Sequence, residues 1–128
     1  MLSINRIIMS GNLTKEPEMK DFKDNKTKAS FTLAVNKTYK MANGEYKKDT
    51  SYFRVITWNA MAKNCGKYLK KGSPVLVEGS LENLSYEDDK GVKKYITQIN
   101  CDHISFLSNL SNGKNNNDLP ASNSELLL

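Results

Sequence analysis

Histidine occurs once in this chain of 128 residues, as His103, and cysteine only as Cys65 and Cys101. Two cysteines so widely spaced build neither a disulfide framework nor a paired zinc knuckle, so both are read as reduced, partly buried thiols in a cytoplasmic setting. Nucleophilic hydrolysis needs a Cys or Ser beside a base. Cys101 and His103 would share one face of a regular strand, but no further His or Cys completes a four-ligand metal set, so the plainer reading is a pair at a strand end. Glu87-Asp88-Asp89 lies in an evident turn without spaced ligands and reads as solvated. No glycine motif for cradling phosphates is present. Neither an enzyme, nor a metal, nor a cofactor is expected. Long apolar runs are also lacking. The start, "MLSINRIIMSGNL", has no small-residue cleavage site, and no segment approaches the roughly 18 apolar residues of a membrane span, so neither a signal peptide nor a membrane partner is expected.

Arginine is scarce too. Only Arg6 and Arg54 are arginines among 19 cationic side chains. Lysine meets phosphate as a point charge and reads base edges poorly beside the arginine fork, which points to binding without sequence preference. The net charge of +5 and a pI near 9.1 favour a polyanionic partner. Residues 109–128 hold Lys114 against Asp118 and Glu125, so the positive excess lies within residues 1–108. The tail reads "SNLSNGKNNND" and is too poor in apolar residues to fold. The expected organisation is one folded domain over 1–108 and a disordered tail over 109–128.

What is present is strand pattern. An apolar segment runs from Ile4 to Leu13, Glu18–Phe22 is a short candidate strand, and "ASFTLAVN" alternates with Ala29, Phe31, Leu33 and Val35 on one face. Residues 37–49 read as a basic connection with a tight turn at Asn43-Gly44. "YFRVITW" at 52–58 then places Tyr52, Arg54, Ile56 and Trp58 on one side and Phe53, Val55 and Thr57 on the core side. "NAMAKNCGKYLKKG" reads as a short helix with Asn59 as N-cap, Gly72 as its stop, and Met61, Cys65 and Leu69 as its apolar stripe. "PVLVEGSLENLSY" is a strand with a bulge or bend at Gly79, "EDDKG" a turn, and Val92–Leu107 a last long strand. A five-stranded Greek-key barrel with a helix between its third and fourth strands is the OB-fold, so the expected class is all-β.

Aromatic residues stand where a core role is unexpected. Tyr39 lies in the basic connection between Lys37 and Lys40. Tyr86 ends a strand, opposite Tyr95 of the next. With Tyr52 and Trp58 these rings suit single-stranded nucleic acid, since every base has a π-face whereas duplex keeps its bases stacked. Stacking contributes about 1–3 kcal/mol per base, enough for rings rather than charge to decide single strand over double.

Three stretches resemble the bacterial-type single-stranded DNA-binding proteins, including phage and plasmid members: "NRIIMSGNLTKEPE" at 5–18, "YFRVITWNAMAKNCGKYLKKGSPVLVEGSL" at 52–81 and "SYEDDKGVKKYITQI" at 85–99. With "ASFTLAVN" the resemblance covers about residues 4–107. It implies an OB-fold homotetramer, cytoplasmic and nucleoid-associated, that coats and protects single-stranded DNA in replication, recombination and repair. The family's stacking rings fall on Tyr39, Tyr52, Trp58 and Tyr86, and its phosphate contacts on Arg54, Lys70 and Lys71, with Arg6 added. Glu82 and the acids after Tyr86 depart from a commonly basic arm and imply weaker or more salt-sensitive binding there. The family's acidic Pro-Phe tip, which recruits replication and repair proteins, is matched only by Asp118-Leu119-Pro120 followed by Ala121, so weak or altered recruitment is expected. A rival reading is an OB-fold accessory module of a replication-restart complex acting mainly by protein contacts. The four retained rings argue against it, and an OB-fold nuclease lacks catalytic residues.

Overall fold

The computed structural model describes residues 1–107; the tail expected over 109–128 lies outside the described residues. Six strands and one α-helix follow in the order β1 (Ile7–Leu13), β2 (Glu18–Phe22), β3 (Lys26–Lys40), β4 (Tyr46–Trp58), α1 (Asn59–Tyr68), β5 (Pro74–Glu87) and β6 (Lys93–Phe106). Hydrogen bonding runs β1-β5-β6-β4-β3, and β1 pairs with β3 as well, which closes a five-stranded barrel. Only β4 and β6 are parallel, through Val55 with Ile99 and Ile56 with Asn100. Strand β2 adds to the free side of β3 without entering the barrel, so α1 lies between the third and fourth barrel strands. This is the OB-fold.

The interior follows from alternation. Leu13, Phe31, Leu33, Val55, Val75, Val77 and Ile99 are almost fully buried. Ala62, Cys65 and Leu69 join the same cluster from the helical segment, with Met61 half-buried against it. The β5–β6 register shifts between Glu78 and Gly79, where an irregularity was expected, but the extra residue is Asp102 of β6 rather than Gly79. A Cβ at Gly79 would collide with the Asn100 carbonyl oxygen of the neighbouring strand, so the close approach admits only glycine.

Two readings are corrected. Residues 37–49 are largely strand, because β3 and β4 stay paired out to Lys40 and Tyr46. The hairpin closes through the Met41 N–H to the Glu45 carbonyl at 2.7 Å, with Gly44 at φ 90°. The expected turn at Asn43-Gly44 stands, but strand pairing carries most of the lysine-rich stretch. Asn59 is also no N-cap. The cap position is Trp58, and Asn59 sits at φ 56° with its Oδ1 accepting the Thr27 N–H at 3.4 Å. Helix α1 ends at Leu69 in extended conformation, and Gly72 falls in the turn beyond it.

Both long hairpins run past the core. Beyond Val35 on β3 and before Phe53 on β4, every residue is exposed except half-buried Tyr39; residues 83–87 and 93–97 of β5–β6 are all exposed. Two-stranded ribbons without a core are marginal on their own. Cross-strand side-chain bonds tie these: Thr50 Oγ1 to Asn36 Oδ1 at 2.8 Å, Thr97 Oγ1 to Asn83 Oδ1 at 2.7 Å, and Gln98 Nε2 to Glu82 Oε1 at 2.8 Å.

Candidate nucleic-acid interface

Directly paired residues share a face, so the register sorts the candidates. Trp58 pairs with Lys28, Ile56 with Ser30, Arg54 with Thr32 and Tyr52 with Ala34, all on the outer side of the barrel wall. The inner alternates Val55 and Thr57 are fully buried, and Phe53 packs on the core from the partly buried layer. Tyr52 is 65% exposed and Trp58 39%. Six residues of strand separate these two rings, about 20 Å at the usual rise, too far apart for one planar ligand to cover both. Ile56 is the exception on this face, only 1% exposed and outside the main core cluster. Ser30 on β3 and Asn100 on β6 flank it, and it forms a floor between Arg54 and Trp58.

The same outer side continues onto β5–β6. Asn100 leads by alternation to Gln98, Ile96 and Lys94, paired with Glu82, Leu84 and Tyr86. Tyr86, 54% exposed, therefore joins Tyr52, Arg54 and Trp58 on one side of the sheet. Tyr95 pairs with Ser85 rather than Tyr86, so the expected cross-strand pair of tyrosines does not form and Tyr95 lies on the reverse of the ribbon. Tyr39 pairs with Lys47 and falls on the reverse of the β3–β4 ribbon from Tyr52.

The cations divide likewise. Exposed Arg54 lines a small cavity of about 70 Å³ with Lys15, Glu16 and Glu18 among its walls. Arg6 lies 3.9 Å from the Glu78 carboxylate, which His103 also approaches at 3.4 Å. No lysine among the described residues is in an ion pair, so no carboxylate neutralises those ammonium groups. Lys70 and Lys71 occupy the α1–β5 turn, where Lys70 N–H donates to Ser73 Oγ at 2.9 Å. They border a separate cavity of about 540 Å³ whose walls include Tyr68 and Phe106, rings 5.9 Å apart. That turn is at the far end of α1 from Trp58, roughly 15 Å of helix away.

Cys101 and His103 do not share a face, because the bulge at Glu78/Gly79 leaves Asp102 unpaired and turns His103 outward opposite Glu78. Cys101 is buried, and burial pushes its thiol up to about 11. Among the described residues no group of three or more His, Cys, Asp or Glu side chains is placed to hold a metal ion. Asp88 is occupied structurally, its Oδ1 accepting the Lys90 and Val92 N–H groups at 2.9 Å.

One feature escaped the sequence reading. Phe22 of β2 lies against Trp58, with ring centroids 5.9 Å apart and planes tilted by 38°. The Lys20 ammonium stands 5.0 Å from the Phe22 ring and that of Lys28 5.9 Å from the Trp58 ring. A lone phenylalanine in "EMKDFKDNK" gives no periodic signal, and only its pairing across β3 reveals its neighbour.

Residues 4–107 match the model of the single-strand binding protein family. A single-stranded DNA-binding protein 1 of Staphylococcus aureus (strain MSSA476) is 39% identical over 116 residues, covering 91% of this chain and 73% of the relative. Single-stranded DNA-binding protein A of Bacillus subtilis is 34% identical over 110 residues, covering 86% of this chain and 63% of the relative. Among solved structures, a Plasmodium falciparum SSB in complex with ssDNA superposes with a TM-score of 0.78 at 29% identity, covering 84% of this chain and 98% of that one. A single-stranded DNA binding protein from Thermus aquaticus, a deletion mutant, gives 0.73 at 28% identity, over 82% and 51% of the two chains.

Proposed function

The chain belongs to the single-strand binding protein family, and from that premise we propose that it coats and protects single-stranded DNA without sequence preference during replication, recombination and repair. The observation that carries this reading is the single outer face on which β4 and β5 carry Tyr52, Arg54, Trp58 and Tyr86. Bases stack on the rings, and the backbone runs between them past Arg54 and the unpaired lysines. Tyr39 serves from the reverse of its ribbon, which a strand passing around the hairpin reaches. Lys70 and Lys71 contact phosphate beyond the end of α1, and Arg6 does so more weakly because Glu78 already faces it. The protein acts by binding rather than catalysis, as a homotetramer in the cytoplasm at the nucleoid, with the folded unit spanning 1–108. No helix among the described residues is long and apolar enough to cross a membrane.

Stacking on tyrosine is indifferent to base identity, whereas bidentate base-edge contacts are not. Labelled single strands of mixed sequence and of oligo-dT should therefore bind with similar affinity. Tyr52→Ala should weaken both by about 1–3 kcal/mol, the worth of one stacked base. A strong preference for one mixed sequence over its scrambled counterpart, or full affinity in the Tyr52→Ala protein, would count against this mode of binding.

A further inference from the structure

Strand β2 carries a second consequence for the same face. Its register with β3 pairs Lys20 with Lys28 and Phe22 with Lys26, and Lys28 in turn pairs with Trp58. Glu18, Lys20 and Phe22 thus extend the outer face by one more strand. The opposite face of β2 holds the strand in place. A Cβ at Gly66 of α1 would stand 2.7 Å from the Met19 sulfur, so the missing side chain is what lets Met19 seat on the helix. Asp21 likewise accepts a hydrogen bond from Thr27 Oγ1 at 3.0 Å. Phe22 has no such duty. It is 39% exposed and lies outside the core cluster, and its aromatic neighbour is Trp58, whose ring is tilted 38° from its own.

The two tilted rings form a wedge over a cavity of about 690 Å³, lined by Phe22, Lys23, Asp24, Lys26, Trp58 and Asn59. That volume lies within the roughly 300–1,000 Å³ of small-molecule sites. Two aromatic rings and two lysines in one lining match the two halves of a nucleotide, a π-face and a phosphate. Asp24 is the single carboxylate in the lining. The Lys20 and Lys28 ammonium groups stand 5.0 and 5.9 Å from the Phe22 and Trp58 rings on flexible stems that leave them free to swing aside.

We propose that Phe22 is a fifth base-contacting ring of this chain, and that Phe22 and Trp58 together hold one unstacked base of the bound single strand, its phosphate met by Lys20, Lys26 and Lys28. This rests on the single-strand reading above and adds a binding position to it. The rival role is structural: Phe22 merely packs β2 onto Trp58.

Two variants separate these roles. Phe22→Leu keeps an apolar contact with Trp58 but removes the π-face, so it should weaken oligo-dT binding about fivefold or more. In a Trp58→Phe, Phe22→Trp double variant the single indole reports from position 22, and its emission should fall as oligo-dT saturates the protein. If the double variant binds oligo-dT with unchanged emission and Phe22→Leu binds as tightly as the natural chain, Phe22 is not a base contact and the wider reading stands. If the natural chain itself fails to bind oligo-dT, the single-strand reading falls and this proposal with it. Should Phe22→Leu not fold, the emission of the double variant still decides.

Discussion

Ile56 is almost completely buried while its alternation partners Arg54 and Trp58 face solvent. The central position of β4, with β3 on one side and β6 on the other, explains how one outward residue is covered while its neighbours are free. Period-2 alternation in "YFRVITW" was sufficient to place Tyr52, Arg54 and Trp58 outward and Phe53, Val55 and Thr57 inward. It failed where a bulge intervened. Cys101 and His103 read as sharing a face, yet the unpaired Asp102 rotates one of them to the other side. Cys101 also yields a prediction at this scale. Burial is the largest cause of its shift from 9.0 to about 11, and Cys65 is raised in the same way. Both thiols should resist alkylation in the native protein at pH 8 and react once the chain is unfolded. The unfolded thiol of Cys101 releases its proton near pH 9 and the folded one near 11, so stability is whole below pH 9 and falls between those values. Thermal midpoints flat from pH 7 to 11 in both the natural chain and Cys101→Ala would contradict the burial.

Among the elements, the hairpins were the least legible. Residues 37–49 look like a loop because lysines crowd them, but an exposed two-stranded ribbon has no need of apolar alternation, and here backbone pairing and the Thr50–Asn36 bond hold it. Register was illegible for the same reason: nothing in the sequence settles whether Tyr86 meets Tyr95 or Lys94, and the turn closed by Asp88 makes it Lys94. An irregularity at Gly79 was legible, since glycine within a strand pattern often marks a bulge, a bend or a close approach; that the extra residue is Asp102 on β6 was not. The β5–β6 arm also carries an acidic departure with a measurable effect. Glu82 accepts from Gln98 at 2.8 Å on the side that bears Tyr86. Glu82→Gln keeps a carbonyl acceptor for Gln98 and removes a negative charge from the side that bears Tyr86. Its affinity for oligo-dT should rise a few-fold at low salt and converge with the natural chain near 1 M salt, where the screening length is about 3 Å. A gain that persists unchanged at high salt would mean that the carboxylate acts through the shape of the arm.

At the scale of the whole molecule, a small all-β chain closes its sheet into a barrel, with β2 added outside β3 and two hairpin ribbons running past the barrel, and lays ring-bearing strands across one side. The strand order and the helix between β4 and β5 were readable from punctuation and periodicity, and so was the aromatic and lysine character of the surface. The union of rings from β4 and β5 on one side was not, because it depends on the short parallel contact between β4 and β6. As proposed above, rings decide single strand over duplex while lysines supply a salt-sensitive share. Trp58, the one tryptophan of the chain, reports on that claim directly. Its emission should be titrated with oligo-dT and with duplex of equal length at two salt concentrations. The account predicts strong quenching by oligo-dT that survives the higher salt, with an affinity slope of about −0.7 per neutralised phosphate, and little response to duplex. Equal affinity for duplex, or loss of all single-strand binding with salt, would contradict it.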